Sequence, residues 1–498
     1  MMQRICYIVI AVILSCSAMA QQRSAKRGVG WDEKKLRLTN GLVDQMSTGI
    51  SWLYNWGLTP QGSVSNMGPG QAMEFVPMCW NSGFNEGTLR SYLTSHPGVK
   101  YLLGFNEPNF SSQSNMTPQQ AVDKWPRLEQ IAADHHLLLV APALNFSGEK
   151  VGGRTWTPYE WYDEFFRLYP TARVDYLALH CYMNWYSATM WFATAYFYKD
   201  LYDSSKTDVY GRYPNLKAYL DNYKAANGHF PRMFLTEFCA WENDGTIKNV
   251  DFQIDQMTQK VQKLEQSDLV AGYAWFIGNN SSGATAYPYM SIFQSNSVTS
   301  ALSDLGKVYV FMSSFDTEKY YAPGELVMAK DYVDATTDNQ QVRLRPNTET
   351  GSDVPLQVEL QGGSIVHYQV NVPVEGEYVL TLHMRSQADA TFRVYLGQTG
   401  YSNMKLNTTI PSTSSQWKDC DVHLNLPAGN HRMLIQNGSS QSFLLNTLML
   451  TSVSSAIMET TTITGTDTVW YSLDGQQLQG KPTQRGVYVV NGHKVVIR

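Results

Sequence analysis

The 498-residue chain is sparing with charge and with cysteine. Asp, Glu, Lys and Arg together make up 16%, and the formal net charge is only −5. With no long basic run, nucleic acid and an anionic membrane surface are poor candidates for a partner. The six cysteines form no C-x-x-C pair, so the sequence gives no support to a zinc site. The N-terminal apolar run, Ile5 to Leu14, is too short to span a bilayer. What is present is apolar: 43% of the residues are hydrophobic, which is enough for a large core and excludes global disorder. The length points to two or three domains.

The N-terminus reads as an export signal. Arg4 supplies the positive start, Ile5 to Leu14 the apolar stretch, and Ala18-Met19-Ala20 a small-x-small cleavage site before Gln21. This predicts a signal peptide over 1–20. A second reading takes Ile13-Leu14-Ser15-Cys16 as a loose lipoprotein box with Cys16 lipidated. Either route takes the chain out of the cytoplasm, secreted or attached at the cell surface. Cys79, Cys181, Cys239 and Cys420 remain after cleavage. Three of them lie in apolar runs, and all four are read as buried thiols.

From Gly28 to Gly278 short apolar runs alternate with amphipathic or loop segments. The runs are Gly28–Trp31, Ser51–Trp56, Glu74–Trp80 and Lys100–Pro108, then Leu137–Leu144, Asp175–Tyr182, Met233–Trp241 and Val270–Gly278. Near-continuous apolar strands suit burial on both faces of a parallel sheet. Thr117-Pro118 opens a helix running through Ala121 to Ala133. Ile254, Met257, Val261 and Leu264 mark another over Val250–Ser267. Eight such strands with helical crossovers predict a (β/α)8 TIM barrel over residues 21–315. After Phe315 the period becomes two, as in His367–Val372, Tyr378–Met384 and Phe392–Leu396, with turn signals at Pro373–Gly376 and Pro427–Gly429. This predicts an antiparallel β-sandwich over 316–455. Residues 456–498 read as a Ser/Thr-rich linker and a short β segment with turns at Asp474-Gly475 and Asn491-Gly492.

Two of the barrel runs end in a carboxylate. The fourth closes with Asn106-Glu107-Pro108 and the seventh with Thr236-Glu237-Phe238. Reacting groups of such barrels sit at the C-terminal ends of strands, and a buried charge there is costly unless paired or used. Two carboxyls facing one cleft are what glycoside cleavage needs: one donates a proton to the leaving oxygen, the other attacks or stabilises the sugar. That chemistry calls for neither metal nor cofactor. Aromatic residues, 12% of the chain, suit stacking on neutral sugars, although most such rings fill cores. Trp156, Trp161, Trp185 and Trp191 gather in the loops around strands five and six as possible walls of a groove.

These strand ends carry a family likeness. SWLYNWG, FVPMCW, LLGFNEPN, DYLALHCY, LTEF and YAWF, in that order, resemble glycoside hydrolase family 128, the endo-β-1,3-glucanases of clan A. The resemblance implies a retaining enzyme with Glu107 as acid/base and Glu237 as nucleophile. It implies that Asn106 bonds the sugar hydroxyl beside the reacting carbon, and that His180 and Tyr182 line the cleft. Trp275 would be the aromatic platform, and Asn55, Trp56 and Trp80 subsite residues. The expected partner is a β-glucan polysaccharide. Another β-linkage, or a barrel that binds glycan without cutting it, stays open. The sandwich resembles family 6 carbohydrate-binding modules, through IVHYQVNVPVEGEYVLTLHMRS, LPAGNHRMLIQ and FLLNTLML. The last thirty residues resemble the C-terminal sorting segments of type IX secretion.

Overall fold

The structure, a computed structural model, describes residues 21–62, 64–182, 195–242, 245–246, 248–279, 288–336 and 342–453. Of the C-terminal segment it describes 470–472, 477–478, 480–483, 486–490 and 493–497. The signal peptide, Cys16, Trp185, Trp191, most of the linker and the two expected Gly turns of the tail lie outside the described residues.

Eight parallel strands form one sheet: β1 (Arg27–Gly30), β2 (Trp52–Tyr54), β3 (Glu74–Phe75), β4 (Tyr101–Leu103), β5 (Leu138–Val140), β6 (Tyr176–Cys181), β7 (Arg232–Phe238) and β8 (Val270–Trp275). Each falls within one residue of a run read from the sequence. The order is β3-β2-β1-β8-β7-β6-β5-β4. Beyond β3 the Cys79 N–H donates to Leu103 O and the Leu103 N–H to Pro77 O, both at 2.9 Å. These bonds join the two ends of the sheet, as in a TIM-like barrel. Trp52, Tyr54, Leu103, Val140, Phe234 and Ala274 fill the interior. Glycines make room for the large rings: a Cβ on Gly28 would lie 2.2 Å from the Trp52 ring, and one on Gly272 2.6 Å from Phe234.

Nine helices are described: α1 (Asn40–Ser47), α2 (Glu86–Ser95), α3 (Pro118–Val122), α4 (Trp125–Asp134), α5 (Pro158–Leu168), α6 (Ala195–Tyr202), α7 (Pro214–Asn227), α8 (Val250–Gln266) and α9 (Asp304–Phe311). Thr117 caps α3 in a capping box with Gln120 and Pro118 in the first turn, as its sequence implies. The helix expected to run on to Ala133 is instead two, because Pro126 lacks an N–H and disfavours helical backbone before it. Arg27, wholly buried on β1, ties the barrel to the segment after α9. Its guanidinium donates to Tyr309 O (3.1 Å), Met312 O (3.2 Å) and Ser313 O (2.5 Å), and it pairs with Glu265 (3.4 Å).

Two antiparallel sheets follow. Their strands are β9 (Leu326–Met328), β10 (Asp334–Ala335), β11 (Val342–Pro346), β12 (Leu356–Leu360), β13 (Ile365–Val372), β14 (Gly376–Ser386), β15 (Ala390–Leu396), β16 (Met404–Ile410), β17 (Lys418–Leu426), β18 (Gly429–Asn437) and β19 (Phe443–Ser452). One sheet runs β11-β12-β19-β14-β17 with β9 against β19; the other runs β10-β13-β18-β15-β16. Inward residues such as Tyr368, Leu380, Leu382, Phe392 and Leu445 alternate with polar ones, and this alternation is why the sheets are legible from the sequence. Four further strands, β20 (Trp470–Ser472), β21 (Gln477–Leu478), β22 (Gly486–Val490) and β23 (His493–Ile497), make a small sheet of their own. Cys79, Cys181 and Cys239 are buried free thiols, whereas Cys420, on the edge strand β17, is half-exposed. No described helix is long and apolar enough to cross a membrane.

Candidate active site

Both glutamates reach the mouth of the barrel at the C-terminal ends of their strands, by different backbone devices. Past β4, Glu107 takes the left-handed conformation with φ at 43°. For a non-glycine residue this is a strained choice, held here by Glu107 N–H donating to Ala143 O at 2.8 Å. On β7 the device is a bulge. Leu235 is level with Leu179 on β6, yet Glu237, two residues on, is level with His180. The neighbour on the other side agrees, since Tyr273 and Trp275 of β8 pair with Leu235 and Phe238. One extra residue on β7 therefore leaves Leu235 and Phe238 facing the helices while Glu237 turns inward beside His180.

The two carboxylates have unlike surroundings. Glu237 accepts at Oε1 from Trp56 Nε1 (2.7 Å) and from the Tyr54 hydroxyl (3.1 Å), and at Oε2 from the Tyr182 hydroxyl. Glu107 has its partners on one oxygen: Oε1 meets His180 Nδ1 at 2.8 Å and accepts from Asn145 Nδ2 at 3.2 Å. No hydrogen bond to its Oε2 occurs among the described residues. His180 is fully buried between them, with Nδ1 also 3.5 Å from Glu237 Oε2 and Nε2 3.0 Å from Thr236 Oγ1.

Burial pushes Glu237 up to about 7, with the Glu107 charge adding to it; His180 and the hydrogen bonds from Trp56 and Tyr54 pull the other way. Burial opposes charge on His180, but the two carboxylates outweigh it and raise its affinity for a proton. Titration near neutrality and shared hydrogen bonds are the properties of a group of residues that exchanges protons. Glu107, His180 and Glu237 also offer one donor atom each within 4.8 Å of one another, a set of the kind that can hold a cation. A cation held by His180 Nδ1 would displace the His180–Glu107 hydrogen bond, so the donor set as arranged fits proton transfer better than metal ligation.

The sequence matches the family described as glycosyl hydrolase catalytic core over residues 28–201 and 201–309, more than half of the chain. The chain belongs to that family. It is a glycoside hydrolase. Among solved structures it is similar to a family 128, subgroup II endo-β-1,3-glucanase from Pseudomonas viridiflava, with 32% identity, 58% of this chain and 98% of that one covered, and a TM-score of 0.42. The subgroup II endo-β-1,3-glucanase from Sorangium cellulosum gives 26%, 57%, 98% and 0.41. A subgroup I enzyme from Amycolatopsis mediterranei, in complex with laminaritriose, gives 24%, 54%, 96% and 0.37. No curated protein matches the chain.

Of the residues singled out in this glycoside hydrolase, the structure brings Glu107, Glu237, His180, Tyr182 and Trp56 into one network. Asn106 is buried beside them; its Nδ2 reaches Gln113 at 3.4 Å and its Oδ1 has no partner among the described residues. Trp80 is half-buried against the barrel interior, and its carbonyl accepts from Asn106 N–H at 2.9 Å. Three expectations need correction. Trp275 is no platform: it is fully buried, its Nε1 donates to Met290 O at 2.8 Å, and its ring packs edge-on against Phe238. Neighbours on a strand face opposite ways, so with Ala274 inside the barrel Trp275 must face the helices. The next ring, Phe276, meets Trp56 and Tyr182 edge-on at 5.9 and 5.4 Å. Asn55, between inward Tyr54 and Trp56, turns away and organises its own loop through Glu33 (2.5 Å), Thr59 O and Gly57 N–H. Trp156 and Trp161 are buried and wall no groove. Sequence reasoning missed Tyr54, Asn145, Thr236 and Phe276. Tyr54 had a signal, since its hydroxyl lies in an interior otherwise lined by apolar side chains and needs a partner.

Proposed function

We propose that the protein is a retaining endo-glucanase that hydrolyses β-1,3-glucan by double displacement, Glu107 acting as acid/base and Glu237 as nucleophile. The supporting observation is the unequal setting of the two carboxylates. Glu237 accepts three hydrogen bonds, one of them from an indole that can only donate, and this favours its ionised form. Glu107 has one oxygen without a hydrogen bond among the described residues, and this oxygen is assigned to carry a proton to the leaving group. One donor oxygen of each lies within 4.8 Å of the other. The two carboxylates thus face one another across a single gap, as double displacement requires.

In the first step Glu237 attacks the anomeric carbon while Glu107 protonates the departing oxygen. A glycosyl–Glu237 ester results. Glu107, now a carboxylate, then takes a proton from water as that water displaces the ester, and the starting protonation is restored. Asn106 is assigned to the sugar's 2-hydroxyl, Tyr182 to holding Glu237 ionised, and Trp56, Phe276 and Trp80 to the sides of the reacting sugar. The β-1,3 linkage and endo action are drawn from the strand-end motifs shared with family 128.

The same reading takes residues 21–315 as a (β/α)8 barrel, 316–455 as a jelly-roll sandwich like family 6 carbohydrate-binding modules, and 456–498 as linker and type IX sorting segment. Residues 1–20 direct export, to the medium or the cell surface, and are then removed. The test is incubation with soluble β-1,3-glucan, with products resolved by size and the first-formed anomer read by NMR. Oligosaccharides released as the β-anomer are expected. An α-anomer would overturn double displacement, and turnover only on another linkage would overturn the substrate.

A further inference from the structure

α8 is covered on both sides. Every residue from Gln253 to Gln262 is buried, although the stretch holds four glutamines, an aspartate, a threonine and a lysine. A surface helix shows its polar side to water; here each side is engaged. Toward the barrel, Gln253 grips the backbone of Ala240, donating to its carbonyl at 2.9 Å and accepting from its N–H at 3.3 Å. Lys260 Nζ donates to Cys239 O at 3.1 Å. Those two residues follow Glu237 by two and three positions, just past the bulge that aims it.

Toward the sandwich, Arg345 on β11 reaches Asp255 at 2.8 Å and Asp251 at 3.2 Å, and Arg343 lies 3.7 Å from Asp255. Gln262 donates to Asp334 Oδ1 at 2.8 Å and to Ala335 O at 2.9 Å. We infer that the sandwich keeps the nucleophile strand in place through α8, with Arg345 and Asp255 as positioning residues for Glu237. This role presupposes Glu237 as the nucleophile. Its physical basis is tolerance: a reacting group must be held to about 0.5 Å, and a bulged strand end has fewer ladder bonds of its own to do so.

The full chain carrying Arg345→Met is compared with the natural chain in two measurements. The first is kcat and KM on soluble β-1,3-glucan; the second is amide hydrogen exchange over Arg232–Ala240, with Leu138–Val140 across the sheet as reference. The expected result is a kcat lower by about tenfold with KM unchanged, milder than the ~100-fold of a full ångström's misplacement. Faster exchange confined to Arg232–Ala240 should accompany it. The double exchange Asp255→Arg with Arg345→Asp should recover part of both. An unchanged kcat, or exchange raised equally in both segments, overturns the inference. Should Arg345→Met fail to fold, Arg345→Lys keeps the charge, loses the fork, and is read in the same way. If the natural chain releases nothing from β-1,3-glucan, the substrate reading fails, while the exchange data still decide the positioning role.

Discussion

The ends of β4 and β7 carry the same side chain in unlike settings, and the proposed division of roles rests on that difference. Glu237 arrives on a bulged strand and is met by three fixed O–H and N–H donors. Glu107 arrives on a left-handed residue and meets His180 and one amide on a single oxygen. The hydrogen bonds that Glu237 accepts favour its anion and so oppose the burial that raises its affinity for a proton; Glu107 has an oxygen with no hydrogen bond among the described residues. Residue type alone makes the two equivalent, so the division of labour comes from their neighbours.

The largest expected effect comes from removing the anion itself. Glu237→Gln should lower kcat by about 10⁴-fold or more, as losing a central reacting group does elsewhere. Glu107→Gln should be nearly as damaging on glucan but much less so on an aryl glycoside whose leaving group needs no proton. Equal losses on both substrates would remove the distinction between the two. Next come the donors. Tyr182→Phe or Tyr54→Phe deletes one hydrogen bond to a charged group, about 1.5–3 kcal/mol or roughly 10- to 100-fold in rate. Asn145→Ala, on the Glu107 side, should cost only a few-fold.

The comparison is sharpened by pH. Glu237 binds its proton more tightly folded, at about 7, than at the ordinary 4.5 of the unfolded chain, chiefly through burial. Its contribution to stability is therefore complete below about pH 4.5 and is lost as pH rises through about 7. At about 1.4 kcal/mol per unit this amounts to some 3 kcal/mol at most. Thermal melts of Glu237→Gln should lack this fall between pH 4.5 and 7. In the active enzyme the acidic limb of kcat/KM should lie near 7 and move upward in Tyr54→Phe, because that hydroxyl favours the ionised form. A limb that moved downward would contradict the donor role. The smallest effect is expected at the rings: Phe276→Ala should raise KM several-fold, whereas Trp275→Phe should lower Tm with KM unchanged.

Much of this was legible in the sequence for physical reasons. Strands buried on both faces read as apolar runs, and a glutamate closing such a run is conspicuous, so the eight strands and both carboxyls could be found. What the sequence hid was direction and cover. The facing of Trp275 and Phe276 depends on which neighbour is level with the barrel interior, and YAWF does not say. The β7 bulge is invisible in Leu235-Thr236-Glu237 because it is a register relation between strands. The apolar stripe of α8 was plain, but the sandwich that covers its polar side lies far along the chain, 90 residues on from Asp255 to Arg345. Pro126 did announce a helix break, and the longer periodicity masked it.

Among the described residues no lysine or arginine bonds Glu107 or Glu237, and His180 is the one described group bonded to them that can offset their charge. A neutral sugar that strips water from such a site changes how strongly Glu237 and His180 hold their protons. Binding of uncharged oligosaccharide near neutral pH should thus be accompanied by exchange of a fraction of a proton with the medium. The heat of binding to the inactive Glu107→Gln or Glu237→Gln chain would then vary with the ionisation enthalpy of the buffer, though the ligand carries no titratable group.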